Sequence, residues 1–181
     1  MVKTHERLNL NRTTVVNLDL ALFRKQSMNP RPNARAERNR SESMKIDGAC
    51  SCGAIKIEGE ADPEKTQVCH CTDCQTGTGS AFRISILVPG ATFKMTGKPA
   101  IYVKTTAESG NPRAQAFCPT CGTPIYSTTP GEGAQPSYTV RVGILRQRDQ
   151  LDPRRQNWFR SARSWVTELA AVPKNDKQAV R

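Results

Sequence analysis

The stretch CPTCG, residues 118–122, governs how the rest of the chain reads. Two cysteines flank a tight turn and a glycine follows the second. This is the form of a zinc knuckle, in which both thiolates face one ion and the glycine admits a positive φ. One knuckle supplies two ligands, whereas a closed structural site takes four. GACSCGA (48–54) offers the missing pair. In an extended segment residues two apart share a face, so Cys50 and Cys52 reach one ion while Ser51 points away. Cys50, Cys52, Cys118 and Cys121 then form a closed tetrahedral centre of net charge about −2, with a structural role.

The other three of the seven cysteines lie together in VCHCTDC (68–74). The same period of two sets Cys69 and Cys71 on one face and His70 on the other, and a short turn returns Cys74 to them. Three thiolates on one zinc leave a position for water or substrate, the pattern of a catalytic site. Spacing alone leaves another partition open. Cys71 and Cys74 with Cys118 and Cys121 make an ordinary zinc ribbon, which strands Cys50, Cys52 and Cys69. An odd number of cysteines in close pairs argues for metal over a disulfide framework. Reduced thiolates imply a reducing compartment, so the expected location is cytoplasmic.

Around these motifs the chain reads as short strands between turns, and the expected class is mainly β, built of small antiparallel sheets. AIKIEG (54–59) and FRISILVP (82–89) alternate apolar and polar residues; in the second, Phe82, Ile84, Ile86 and Val88 share a face. Gln67–Cys71, ATFKMTG (91–97), AIYVKT (100–105), RAQAFC (113–118), PIYSTT (124–129) and SYTVRVGIL (137–145) continue the series. NWFRSARSWV (157–166) carries both tryptophans and reads as a last strand or docking turn that closes the domain with apolar surface. CTDCQTGT suggests one short turn of helix.

Residues 24–43 are rich in Pro, Asn, Arg and Ser without apolar periodicity, which reads as a disordered linker. The expected organisation is a disordered or weakly structured basic tail over 1–43, a zinc-binding domain over 44–168 and a flexible tail over 169–181. Of the net charge of +11, residues 1–43 carry +5. The rest lacks a dense basic stripe, so attraction to small acidic ligands is favoured over nucleic acid. A non-catalytic zinc-stabilised binding module, associating with nucleic acid through that tail, is the alternative function. No stretch is apolar and long enough to span a membrane.

Taken together, GACSCGAI, CHCTDCQTGTGSAF, FCPTCGTPIYS and NWFRSARSWV closely resemble the glutathione-dependent formaldehyde-activating enzyme family, which includes centromere protein V. The resemblance runs from about Lys45 to Val166 and takes in all seven cysteines. It implies a zinc-stapled β-tent fold and two zincs per chain. Cys50, Cys52, Cys118 and Cys121 would hold the structural ion, and Cys69, Cys71 and Cys74 the catalytic one. It further implies a carbon–sulfur lyase for glutathione–aldehyde adducts, forming or cleaving S-hydroxymethylglutathione in aldehyde detoxification. The partners would be glutathione or another small thiol and a small aldehyde. Because glutathione carries two carboxylates, a basic side chain is expected along the approach, and Arg83, Arg113 and Arg146 are the candidates. Thr72, Thr78 and Ser80 are candidate hydrogen-bond donors. Asp73 reads as a turn cap, His70 as a packed residue, and GTGS (77–80) as a tight turn.

Overall fold

The computed structural model describes residues 42–131, 133 and 136–178. The expected disordered tail lies outside these residues except for its last two positions. Ten strands follow in chain order: β1 (Met44–Ala49), β2 (Lys56–Ala61), β3 (Thr66–Cys69), β4 (Arg83–Pro89), β5 (Lys94–Thr96), β6 (Ala100–Lys104), β7 (Arg113–Phe117), β8 (Pro124–Thr128), β9 (Ser137–Arg141) and β10 (Arg155–Asn157). One helix, α1 (Thr72–Thr78), lies between β3 and β4, and the remaining helical pieces are 3₁₀ turns. The protein is mainly β, as the alternation of its sequence predicts.

The strands form a three-stranded sheet, β1-β2-β5, and a seven-stranded sheet, β10-β3-β4-β9-β8-β7-β6. Pairing is antiparallel except between β10 and β3, which run parallel. Side chains alternate across a strand, so the register sorts the large sheet into two faces. Val68 opposite Ile84, Ile86 opposite Val140, and Ala116 opposite Tyr126 lie on one face. Together with Ile46 and Ile57 of the small sheet they are buried, save Ile84, which is partly buried and packs against the core. Burying each such aliphatic side chain contributes roughly 1.5–3 kcal/mol. Phe93, Tyr126 and Tyr138 pack ring against ring at one end, with centroids 4.2–5.6 Å apart.

The other face is polar. Cys69 lies opposite Arg83, Ser85 opposite Arg141, Thr139 opposite Ser127, and Ser127 opposite Gln115. A period of two thus carries a cysteine and a row of basic and hydroxyl side chains across the sheet while the apolar residues fill the core.

Two local expectations are corrected. The strand predicted to reach Cys71 ends at Cys69, because Cys71 caps the N-terminus of α1: its Sγ accepts from the Cys74 N–H at 3.4 Å. The strand expected at AIYVKT is β6, and its Ile101 and Val103 are 49% and 45% exposed because it is the sheet's edge. Trp165 does not close the domain and is 50% exposed. After the short β10, the segment continues as 3₁₀ turns at Phe159–Ser161 and Ser164–Ala171, the latter running across the expected boundary at 168.

Candidate metal centres and the cleft beside them

Two turns of similar form build the first cysteine cluster. Cys50 follows the end of β1, its N–H bonding Ile55 O at 3.0 Å, and its carbonyl accepts from Gly53 N–H at 2.9 Å. Cys118 follows β7 in the same way, bonding Thr123 O at 2.9 Å and accepting from Gly122 N–H at 2.9 Å. Gly53 and Gly122 sit at φ 76° and 71°, a region costly for any residue with a Cβ. Cys50 and Cys52 therefore converge through a turn at residues 51–53, not through the strand alternation expected of them. Their sulfurs are 3.5 Å apart, and Cys52 lies 3.7 Å from Cys118. Ser51 and Thr123 tie the two turns together, hydroxyl to hydroxyl, at 2.9 Å.

The second cluster forms where β3 meets α1. Cys69 Sγ lies 3.5 Å from Cys71 Sγ, and Cys74 completes the group from the first turn of α1. Within each cluster all ligand atoms lie within 4.8 Å of one another. Four sulfurs held tetrahedrally at about 2.3 Å from zinc stand roughly 3.8 Å apart. The 3.5 and 3.7 Å spacings fit that requirement, so either cluster can hold a metal ion. The ribbon partition, which joins Cys71 and Cys74 to Cys118 and Cys121, is not the grouping found.

The Cys69 thiol is lowered to about 5, first by a hydrogen bond from the Cys74 thiol and further by the Arg83 charge across the strand pair. Cys74 is raised correspondingly, because it keeps the shared proton and is buried. In the metal-free cluster, then, the negative charge rests on Cys69, beside Arg83. Cys121 in the other cluster is also lowered to about 5, chiefly by the Thr123 hydroxyl.

A cleft of about 130 Å³ opens on the second cluster, lined by Cys69, Cys71 and Cys74 with Arg83, Arg113 and Trp158 among its walls. The 105–112 loop is held over it by α1. Glu108 accepts from the Thr72 N–H at 3.1 Å, while its own N–H donates to Asp73 Oδ2 at 2.9 Å. Asp73 Oδ1 pairs with Lys104 at 3.3 Å. With both oxygens taken, Asp73 ties the turn to the 105–112 loop and to β6; the cap of the turn is Cys71 and not the expected Asp73.

His70 is fully buried and points away from the thiols. Nε2 lies 2.8 Å from Gln156 Oε1, and the ring packs edge-on to Phe82 and Phe159. Thr72 Oγ1 bonds Glu108, and Thr78 Oγ1 donates to Cys74 O at 2.7 Å. Thr78 and Ser80 line a second, larger cavity and not the cleft. Of the three candidate arginines, Arg83 and Arg113 line the cleft. Arg146 does not: it is bound to Asp47 at 2.7 Å and lies largely in solvent.

Two residues of the cleft region escape sequence reasoning. Trp158 reaches the cleft from a left-handed backbone, φ 56°, with the Arg160 guanidinium 4.8 Å over its ring. Arg141 is only 7% exposed, donates to Ser127 Oγ at 3.5 Å and has no carboxylate partner among the described residues. Burial, with Arg83 and Arg113 nearby, lowers it to about 9, so it remains a cation at neutral pH. The alternation of SYTVRV carries the signal for Arg141, since it falls between the buried Val140 and Val142 and must face the polar side.

A family model described as glutathione-dependent formaldehyde-activating enzyme matches residues 45–161. No curated protein matches. Among solved structures, a protein of Rhodobacter sphaeroides is similar, at 20% identity and a TM-score of 0.45, covering 61% of this chain and 99% of that one. That likeness is too remote to argue from.

Proposed function

Since the chain belongs to the glutathione-dependent formaldehyde-activating enzyme family, we propose that it is a zinc-dependent carbon–sulfur lyase, making and breaking the bond between glutathione sulfur and an aldehyde carbon. In the forward direction the thiol sulfur forms a bond to the carbonyl carbon as the C=O π bond breaks. The proton from sulfur ends on the former carbonyl oxygen, giving S-hydroxymethylglutathione when the aldehyde is formaldehyde. The observation that carries this reading is a three-thiol cluster that opens on a small cleft with cationic walls, beside a four-thiol cluster that is already complete.

Cys50, Cys52, Cys118 and Cys121 would hold a structural zinc, stapling the turn after β1 to the turn after β7. Cys69, Cys71 and Cys74 would hold the catalytic zinc and leave one position free. Zinc bound there supplies Lewis acidity that favours the ionised form of an incoming thiol. The chain's own residues do the rest. Arg83, opposite Cys69, offsets the negative charge of the thiolates. Glu108 and Asp73 fix the turn that presents Cys71 and Cys74. Trp158 walls the cleft and keeps bulk water from the sulfur. His70 takes no part in proton transfer, because its ring is enclosed by Phe82, Phe159 and Gln156. Such a reaction serves aldehyde detoxification in a reducing, cytoplasmic setting, where seven cysteines stay reduced.

NMR exchange spectroscopy on glutathione with formaldehyde tests the reading. The zinc-loaded protein is expected to accelerate exchange between free glutathione and its hydroxymethyl adduct. No acceleration with formaldehyde or with other small aldehydes overturns it.

A further inference from the structure

A second cavity, of about 620 Å³, shares Arg83 with the cleft at the thiols. Arg83 lines both spaces, and the cavity wall also holds Arg141, Arg148, Ser51, Ser80 and Thr123. Its volume falls within the usual range for small-molecule sites, about 300–1,000 Å³. The cleft at the thiols, about 130 Å³, accommodates a sulfur and a small carbonyl but not a tripeptide.

Three buried polar atoms without a partner lie on this face of the sheet: Arg83 Nε and Arg141 Nε, from two residues of the cavity wall, and Ser85 Oγ, which lines neither space. The register makes them neighbours, since Ser85 and Arg141 are directly opposed and Arg83 is two residues along β4 on the same face. Buried donors are ordinarily satisfied, and a cluster of orphans asks for a missing partner. A buried guanidinium without a carboxylate is especially costly. Arg83 and Arg141 supply donors and positive charge and no acceptor, so the partner they fit is an anion, and a carboxylate matches their fork geometry.

Building on the thiol chemistry proposed above, we infer that the cavity walled by Arg83, Arg141 and Arg148 is the subsite for a carboxylate of the thiol substrate. The sulfur enters the cleft at Cys69, Cys71 and Cys74 while the acid-bearing arm passes Arg83 into the larger cavity. The protein thereby selects acidic thiols over neutral ones of equal size.

The test is calorimetric binding of S-methylglutathione and of its dicarboxamide to the zinc-loaded full chain. Both probes lack a free thiol, so the readout is independent of turnover. The acid should bind roughly 10-fold tighter than the diamide, as expected for a charge-assisted hydrogen bond. Arg141→Met should bring the ratio near one. Arg148 is exposed and lines the cavity, so Arg148→Ala keeps the fold and should reduce the ratio about threefold. If Arg141→Met fails to fold, Arg148→Ala decides alone. Equal binding of the two probes by the wild type, or a ratio unchanged in the folded variants, overturns the subsite. Accelerated exchange with no discrimination removes the subsite and keeps the lyase reading. Discrimination without acceleration does the reverse.

Discussion

Replacing Glu108 by alanine should loosen the three-thiol cluster and leave the four-thiol cluster unchanged. Cys71 is the N-cap of α1, and the Thr72 N–H at the next position has no partner within the helix. Glu108 Oε2 supplies one from the loop at 3.1 Å and takes the Thr72 hydroxyl at 3.3 Å. Its other contacts are weak: Ser161 Oγ at 3.4 Å, and Arg160 at 3.9 Å with that arginine 74% exposed. An exposed pair of that kind contributes close to nothing. What remains is the loss of a helix cap, about 1 kcal/mol, concentrated on the turn that carries Cys71 and Cys74. That energy lowers zinc affinity at the three-thiol cluster roughly fivefold. Competition against a graded series of zinc chelators resolves the two sites. The expected result is an earlier release of one zinc in Glu108→Ala, with Glu108→Gln intermediate because it keeps an acceptor. Identical release curves for wild type and variant, or an equal shift of both zincs, would refute the assignment of Glu108 to this turn.

In the zinc-free reduced protein, Cys69 should alkylate ahead of Cys71 and Cys74 and already at pH 6, because its thiol is lowered to about 5 while theirs are raised. Peptide mapping after a brief pulse of iodoacetamide reads this directly, and a midpoint near that of a free thiol, about 8.5, contradicts it. The lowered thiol also signs the pH dependence of that zinc-free state. Its contribution to stability is present above the unfolded value and is lost as pH falls through about 5. His70→Gln should lower the melting temperature while leaving the exchange rate per folded molecule within about threefold, since the ring packs between Phe82 and Phe159; a loss near 100-fold would give His70 a chemical role. Gly122→Ala, at φ 71°, should cost about 1 kcal/mol and weaken zinc only at the four-thiol cluster, as chelator competition would record.

The cysteine turns were legible because ligand spacing and glycine placement are local signals. Gly122 takes the positive φ that CPTCG requires, and Ile84, Ile86 and Val88 follow the face their alternation sets, with Ile86 and Val88 fully buried. Alternation fails where neighbours are absent. Ile101 and Val103 repeat the same pattern, yet an edge strand leaves them in solvent. It also says nothing of which polar residues gather. Arg141 is a substrate-facing candidate only because β9 lies beside β4 and sets it opposite Ser85. Arg146 is drawn out of contention by Asp47, about a hundred residues earlier in the chain. His70 stands outside the thiol cluster, as period two expects, although the turn into α1, and not a continued strand, is what returns Cys71 to Cys69.

The division of seven cysteines into four and three is the central claim, and the zinc count per chain tests it most directly. Native mass spectrometry should find two zincs on the wild type and one on a folded Cys71→Ser, with Cys118→Ser failing to fold. A single zinc on the wild type, or two retained by Cys71→Ser, would contradict it.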